Sequence, residues 1–143
     1  ERTGLPISMG SEACGAARAL WNVKTIAVLT PYQPVGDKNV VRFFEEAGYS
    51  VKRIKGLKCA SPVKIAHVSE SELRAGLQEL AGDDIDAIVQ VGTNLAMARL
   101  AASAEIWLDR PVLAINTAIY WHALRQSGIN DRISGFGALL ERH

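Results

Sequence analysis

Two rhythms of hydrophobic and polar positions alternate along this chain. Short, nearly unbroken apolar runs predict strands buried on both faces: VKTIAVLT at 23–30, DIDAIVQVG at 84–92 and RPVLAIN at 110–116. A fourth run, YSVKRIKG at 49–56, is more polar and reads as a strand nearer the sheet edge. Between these runs the apolar residues recur every three or four positions, as on one face of a helix. SEACGAARALW at 11–21 predicts a helix capped by Ser11. KNVVRFFEEAG at 38–48 predicts one that follows Asp37 and stops at Gly48. SESELRAGLQELAG at 69–82 carries Ser69 and Glu72 at capping-box spacing, with Leu73, Leu77 and Leu80 on the inner face. TNLAMARLAASAEIWL at 93–108 predicts a helix capped by Thr93 or Asn94, and TAIYWHALRQSG at 117–128 one closed by Gly128. CASPVKIAHV at 59–68 reads as a loop with one helical turn, and the tail from Ile129 as a segment packing back on the sheet.

The resulting order is α-β-α-β-α-β-α-β-α. Strict alternation with short connections predicts an α/β domain: a four-stranded parallel sheet flanked by helices, flavodoxin-like or Rossmann-like in its winding. Residues 1–143 form one domain in this reading, with a linker and entering helix over 1–21. The linker-like start ERTGLPISMG, with Glu1 rather than Met in first place, predicts that the chain is a piece of a longer one.

Composition narrows the partners. Apolar residues make up 48% of the 143 residues and the formal net charge is +1, with Lys and Arg dispersed, so nucleic acid and anionic membrane surfaces are not expected partners. No apolar run approaches the roughly 18 residues of a membrane span, and no signal-like segment is visible. Two isolated cysteines, Cys14 and Cys59, make neither a disulfide framework nor a metal spacing. These features set the expectation of a cytoplasmic protein.

In a doubly wound sheet ligands bind beyond the carboxyl ends of the strands. Three loops should meet there: TPYQPVGDKN after the first strand, VGTN after the third and INTA after the fourth. Gly92 allows a ligand oxygen close to the backbone, and the amides of Thr93, Asn94 and Leu95, if they open a helix, form a site for a carboxylate. A glycine that only permits a tight turn, followed by an ordinary cap, explains the same residues. Tyr32 supplies a phenol that either donates to such a ligand or shields the core edge. Asn116 and Thr117 read as a second cap. His122, among Tyr120, Trp121 and Leu124, reads as a packing histidine rather than a base, and His67 lacks a partner at ligand spacing. Cys14 reads as a small buried hydrophobe, and neither cysteine is expected to face the cleft. There is no G-x-G-x-x-G, P-loop or G-x-S-x-G, which argues against nucleotide-binding and hydrolase readings.

The ordered segments GLPISMGSEACGAARAL, AVLTPYQPVGDKNVVRFFEEAGY, RIKGLKCASPVKIAHVSESEL, DAIVQVGTNLAM, RPVLAINTAIYWHALR and GFGALL resemble the C-terminal half of the maleate cis–trans isomerase and arylmalonate decarboxylase group. That group lies within the aspartate/glutamate racemase superfamily, and VGTNLAM with INTAIYWHALR is most similar to its ectoine-utilisation members. The resemblance implies one of two similar α/β halves, with the site between them. It implies a small carboxylate substrate, chemistry by cysteines, and no metal or organic cofactor. It assigns Tyr32 a catalytic place, and Gly92, Thr93 and Asn94 substrate binding, with Ser11 and Ser8 approaching the cleft; Asn116, at the end of the fourth strand, is a further substrate-binding candidate. A half on its own leaves an interface uncovered, which predicts association into a homo-oligomer.

The sequence departs from the family at one position. The family commonly reads S-C-T-N-L at the third strand end, whereas this chain reads Val91-Gly92-Thr93-Asn94-Leu95, so Gly92 stands in the cysteine's place. Two readings follow: an isomerase, racemase or decarboxylase with its nucleophile elsewhere, or a non-catalytic carboxylate-binding or regulatory protein.

Overall fold

The computed structural model describes Gly4 and residues 6–143. In chain order the elements are α1 (Gly10–Trp21), β1 (Thr25–Thr30), α2 (Pro34–Glu46), β2 (Ser50–Gly56), α3 (Pro62–Ile65), α4 (Glu70–Leu80), β3 (Ala87–Gln90), α5 (Ala98–Leu108), β4 (Val112–Ala114), α6 (Ile115–Gln126) and α7 (Ala138–Arg142). The four strands form one parallel sheet in the order β2-β1-β3-β4. This is the α/β architecture that the alternation predicts, with the short helices α3 and α7 added. The winding reverses between β1 and β3, and there the strand ends lie level: Leu29 pairs with Gln90, and Gln90 with Ala114.

Burial follows the sequence pattern. Every residue of β3 is buried, whereas β2, more polar, pairs only with β1 and lies at the edge. One layer of core joins α1, α2, α6 and α7 to one face of the sheet through Cys14, Val28, Phe44, Val89, Trp121, Leu139 and Leu140. The other joins α4 and α5 to the opposite face through Leu29, Leu73, Leu77, Leu80, Ile88 and Leu100. Fully burying one such leucine contributes about 2 kcal/mol. The tail therefore packs back as expected, through Leu139 and Leu140. The capping box of α4 is also present: the Ser69 hydroxyl accepts from the Glu72 amide at 3.3 Å, and the Glu72 carboxylate accepts from the Ser69 amide at 3.0 Å. The Ser69 hydroxyl also donates to the Glu72 carboxylate at 2.7 Å, and this bond, then the one from the Ser69 amide, holds the Glu72 carboxyl below its ordinary range.

Four helix starts depart from the expectation. Helix α1 begins at Gly10 with Met9 as its cap, so Ser11 lies inside the first turn. Helix α2 begins three residues before Asp37, because Pro34 fits the first helical position and its missing N–H costs nothing there. Helix α5 begins only at Ala98, with Met97 in the cap position, so neither Thr93 nor Asn94 caps it. Helix α6 begins at Ile115 directly from β4, which puts Asn116 and Thr117 inside its first turn.

Candidate active site at the strand ends

The segment between β3 and α5 is a braced turn rather than a helix start. Gly92 has φ +95°, which is open to glycine and strained for other residues. Its carbonyl accepts from the Leu95 amide at 3.0 Å. The side-chain amide of Gln90 donates to the same carbonyl at 3.0 Å and to Val91 O at 2.6 Å. Gln90 is 1% exposed, a buried polar group whose donors are used to fix the turn. Asn116 Nδ2 donates to the next carbonyl, Thr93 O, at 2.9 Å.

The carbonyls of Val91, Gly92 and Thr93 are thus all tied back to the protein. The Leu95 amide is used within the turn, whereas among the described residues the amides of Gly92, Thr93 and Asn94 have no protein acceptor. Successive free amides beside fixed carbonyls form a donor set for an anion, independently of a helix dipole. The expectation of a helix N-terminus at this point is therefore corrected, while a donor set remains.

Tyr32 stands across from this turn. Its hydroxyl is 3.7 Å from the point where a Cβ on Gly92 would be. The loop that carries it is zipped to the segment after β2. Leu57 N donates to Thr30 O at 2.8 Å, Cys59 N to Pro31 O at 3.0 Å, and Lys58 N to Tyr32 O at 3.2 Å. Gln33 Nε2 adds bonds to Lys58 O at 2.8 Å and Cys59 O at 3.1 Å. Gly36 leaves room for the tyrosine, since a Cβ there would come 2.8 Å from Tyr32 Cβ.

A cavity of about 550 Å³ opens from Tyr32, Gly92 and Thr93 into a groove between α1 and α2. Its walls are mainly apolar, with Val40, Phe43, Phe44, Val91, Ile115 and Ile119, and Ser11 lies at its rim. Among the described residues no Lys, Arg or His lines it.

Contrary to the expectation from sequence, Cys14 also lines this cavity. Helix α1 lies over the sheet so that its inner face reaches the groove. Burial pushes the Cys14 thiol up to about 12, so it remains neutral and is not a ready nucleophile. Its neighbour Tyr49, whose hydroxyl donates to Cys14 O at 2.8 Å, is likewise pushed up to about 12, first by burial and then by Cys14.

The remaining candidates divide. Asn116 and Ser11 are at the site, the first through Thr93 O and the second at the cavity rim. Asn94 is exposed at the end of the turn, outside the cavity lining. Ser8 is held on α6, its hydroxyl 2.9 Å from His122 Nδ1 and 3.1 Å from Ile119 O, and does not line the cavity. His122 accordingly ties the segment before α1 to α6, a structural role. Among the described residues no three His, Cys, Asp or Glu side chains converge as metal ligands do. Gln90 was not singled out from the sequence, although a glutamine inside the apolar run AIVQV is the signal that marks it.

Comparison with known proteins agrees with the fold. The chain is 27% identical over 127 residues to a maleate isomerase of Nocardia farcinica, covering 87% of this chain and 50% of that protein. The solved maleate cis–trans isomerase of N. farcinica bound to TRIS superposes with a TM-score of 0.89 at 22% identity, over 93% of this chain and 55% of the other. A crystal structure of arylmalonate decarboxylase gives 0.84 at 22% identity, over 96% and 62%. The chain spans about half the length of the curated relative it matches. The family model for arylmalonate decarboxylase matches residues 1–140, nearly the whole sequence, and the chain belongs to that family.

Proposed function

We propose that this chain is the C-terminal half of a cofactor-independent isomerase, racemase or decarboxylase that acts on a small carboxylate. The observation that carries the reading is the braced turn at Gly92–Asn94, with its carbonyls tied inward and its amides free, facing the phenol of Tyr32. In reactions of this class negative charge develops on the substrate carboxylate as an enediolate. Fixed donors stabilise that charge, and loss of one such donor typically lowers turnover about 10²- to 10³-fold. The amides of Thr93 and Asn94 and the Tyr32 hydroxyl are the donors in this reading. Asn116 keeps the turn in place, and Ser11 borders the space for the substrate. The apolar side chains in the cavity wall favour a carboxylate with an apolar substituent, and among the described residues no cation there would meet a second negative charge. A variant of the N. farcinica isomerase has been solved with a covalently bound succinylcysteine intermediate. In the present chain the nucleophile would come from the other half, because Gly92 and neutral Cys14 supply none. The resemblance of VGTNLAM and INTAIYWHALR to ectoine-utilisation members supports an amino-acid-derived substrate from ectoine breakdown.

The test is incubation of the natural full-length protein in deuterated water with maleate, aspartate, phenylmalonate and ectoine-derived amino acids. Deuterium uptake, isomerisation or carbon dioxide release is expected for at least one. No change in any of them overturns the enzymatic reading.

Gly92 itself favours a second reading, a carboxylate-binding or regulatory protein without turnover. Its backbone conformation and the ring of Pro31 against it make the turn unsuited to a side chain. Calorimetry with the same compounds would then record binding where no product forms.

A further inference from the structure

We infer that Asp37 is a positioning residue for Tyr32, acting through the hydroxyl of Thr30. The inference rests on the reading of Tyr32 as a donor to substrate. Thr30 ends β1 and is completely buried, so its hydroxyl needs partners inside the protein. It has two. The hydroxyl donates to Asp37 Oδ1, and its oxygen accepts from the Tyr32 amide at 3.2 Å. The carboxylate therefore decides which way the hydroxyl points. With its proton directed at Asp37, Thr30 presents a lone pair to the Tyr32 N–H. Without Asp37, the hydroxyl is free to turn and the tyrosine loses a fixed backbone bond two residues beyond the strand.

Asp37 is itself confined. It lies in the first turn of α2, where a negative charge is favoured by the helix dipole. Its carboxyl sits against Gly56 at the end of β2: a Cβ at that position would meet Asp37 Oδ2, lie 2.9 Å from Asp37 Cγ and 3.0 Å from Tyr32 O. The strand end of β2, the start of α2 and the loop bearing Tyr32 thus meet at one carboxylate. A general N-capping role does not account for this arrangement. The cap position is Gln33, four residues earlier, and the carboxylate is bonded to a strand residue rather than to its own helix.

The experiment is ¹⁹F NMR of the protein labelled with 3-fluorotyrosine, which has three tyrosines, Tyr32, Tyr49 and Tyr120. The Tyr32 line is identified by its absence in Tyr32→Phe. Asp37→Ala and Thr30→Val are expected to shift or broaden that line and leave those of Tyr49 and Tyr120 in place. Asp37→Asn and Thr30→Ser, which keep an acceptor and a hydroxyl, are expected to restore it. An unmoved Tyr32 line in Asp37→Ala overturns the inference, as does equal movement of all three lines. If Thr30→Val does not fold, the Asp37 pair decides alone.

Phenylmalonate binding by calorimetry gives the functional arm. Asp37→Ala is expected to weaken binding about tenfold, the scale of one hydrogen bond. It should have no further effect in the Tyr32→Phe background, since two changes acting through one group are not additive. If Tyr32→Phe weakens binding while Asp37→Ala does not, the positioning role fails and the site reading stands. If the NMR result appears as expected but no carboxylate binds, the site reading fails and the positioning role stands.

Discussion

The ring of Pro31 occupies the space that a side chain on Gly92 would need. A Cβ at Gly92 would lie 2.6 Å from Pro31 Cγ and 2.8 Å from Pro31 Cδ, with the backbone at φ +95°. Such a φ costs a non-glycine residue about 1–3 kcal/mol before any overlap is counted. The absence of a thiol at this turn is therefore built into the loop opposite, and a single substitution does not restore it. Gly92→Cys is expected to be destabilised by about 2 kcal/mol or more and to gain no activity. Gly92→Ala should lose nearly as much, which separates the backbone effect from thiol chemistry. Urea unfolding of the two variants checks this, and a Gly92→Cys protein as stable as its parent would contradict it.

Gln90 gives the turn its rigidity from below. Replacing it with Leu keeps the volume similar but removes both side-chain bonds. Gly92 O retains its bond from Leu95 N, whereas Val91 O is left without its side-chain donor. Leaving a buried carbonyl unsatisfied costs about 1–3 kcal/mol. Gln90→Leu should lower stability by that amount and also weaken carboxylate binding. Denaturation and calorimetry on the same preparation measure both, and retained binding at reduced stability would separate the brace from the site.

Asn116 braces the same turn from the solvent side and should behave differently. It is exposed, so water can replace its bond to Thr93 O. Asn116→Ala is expected to change stability by less than about 0.5 kcal/mol, as for most surface substitutions. Carboxylate affinity should still fall several-fold, because the Thr93 peptide is then free to tilt. Equal affinity in the variant and the parent would show that Thr93 is held without Asn116.

The strands and most helices were legible because burial and period agree in them. VKTIAVLT and DAIVQV are apolar on both faces, and Leu73, Leu77 and Leu80 repeat along one helix face. The helix starts near the site were less legible for a physical reason. At Thr93 and Asn94 the residues favour a cap, but side-chain bonds, local from Gln90 and long-range from Asn116, hold the chain in a turn, and the helix starts only after Met97. At Ser11 and Asn116 a polar residue near a helix start suggested a cap, whereas each helix begins before it. That the three loops of the candidate site meet at the strand ends was legible from topology. The source of its free amides was not, because the bracing partners lie 23 residues away in Asn116 and inside an apolar strand in Gln90. Cys14 was misplaced with respect to the groove because no local pattern tells how α1 is rotated against α2.

The buried Cys14 thiol makes stability depend on alkaline pH. Its folded value, pushed up to about 12, lies above the ordinary 9.0 of a thiol, because burial disfavours the thiolate. A group raised on folding contributes stability that is complete below the unfolded value and is lost as pH rises through the folded one. Tyr49, raised from 10.0 to about 12 chiefly by burial, acts in the same direction. The urea midpoint should therefore decline between about pH 9 and 12. Cys14→Ala should start from a lower midpoint, because it leaves a small cavity, but decline less steeply over that interval. In the parent at pH 8, iodoacetamide should modify the partly exposed Cys59 well before Cys14. Rapid alkylation of Cys14 under native conditions would mean that the groove opens to solvent more than its 2% exposure allows, and would restore Cys14 as a candidate nucleophile.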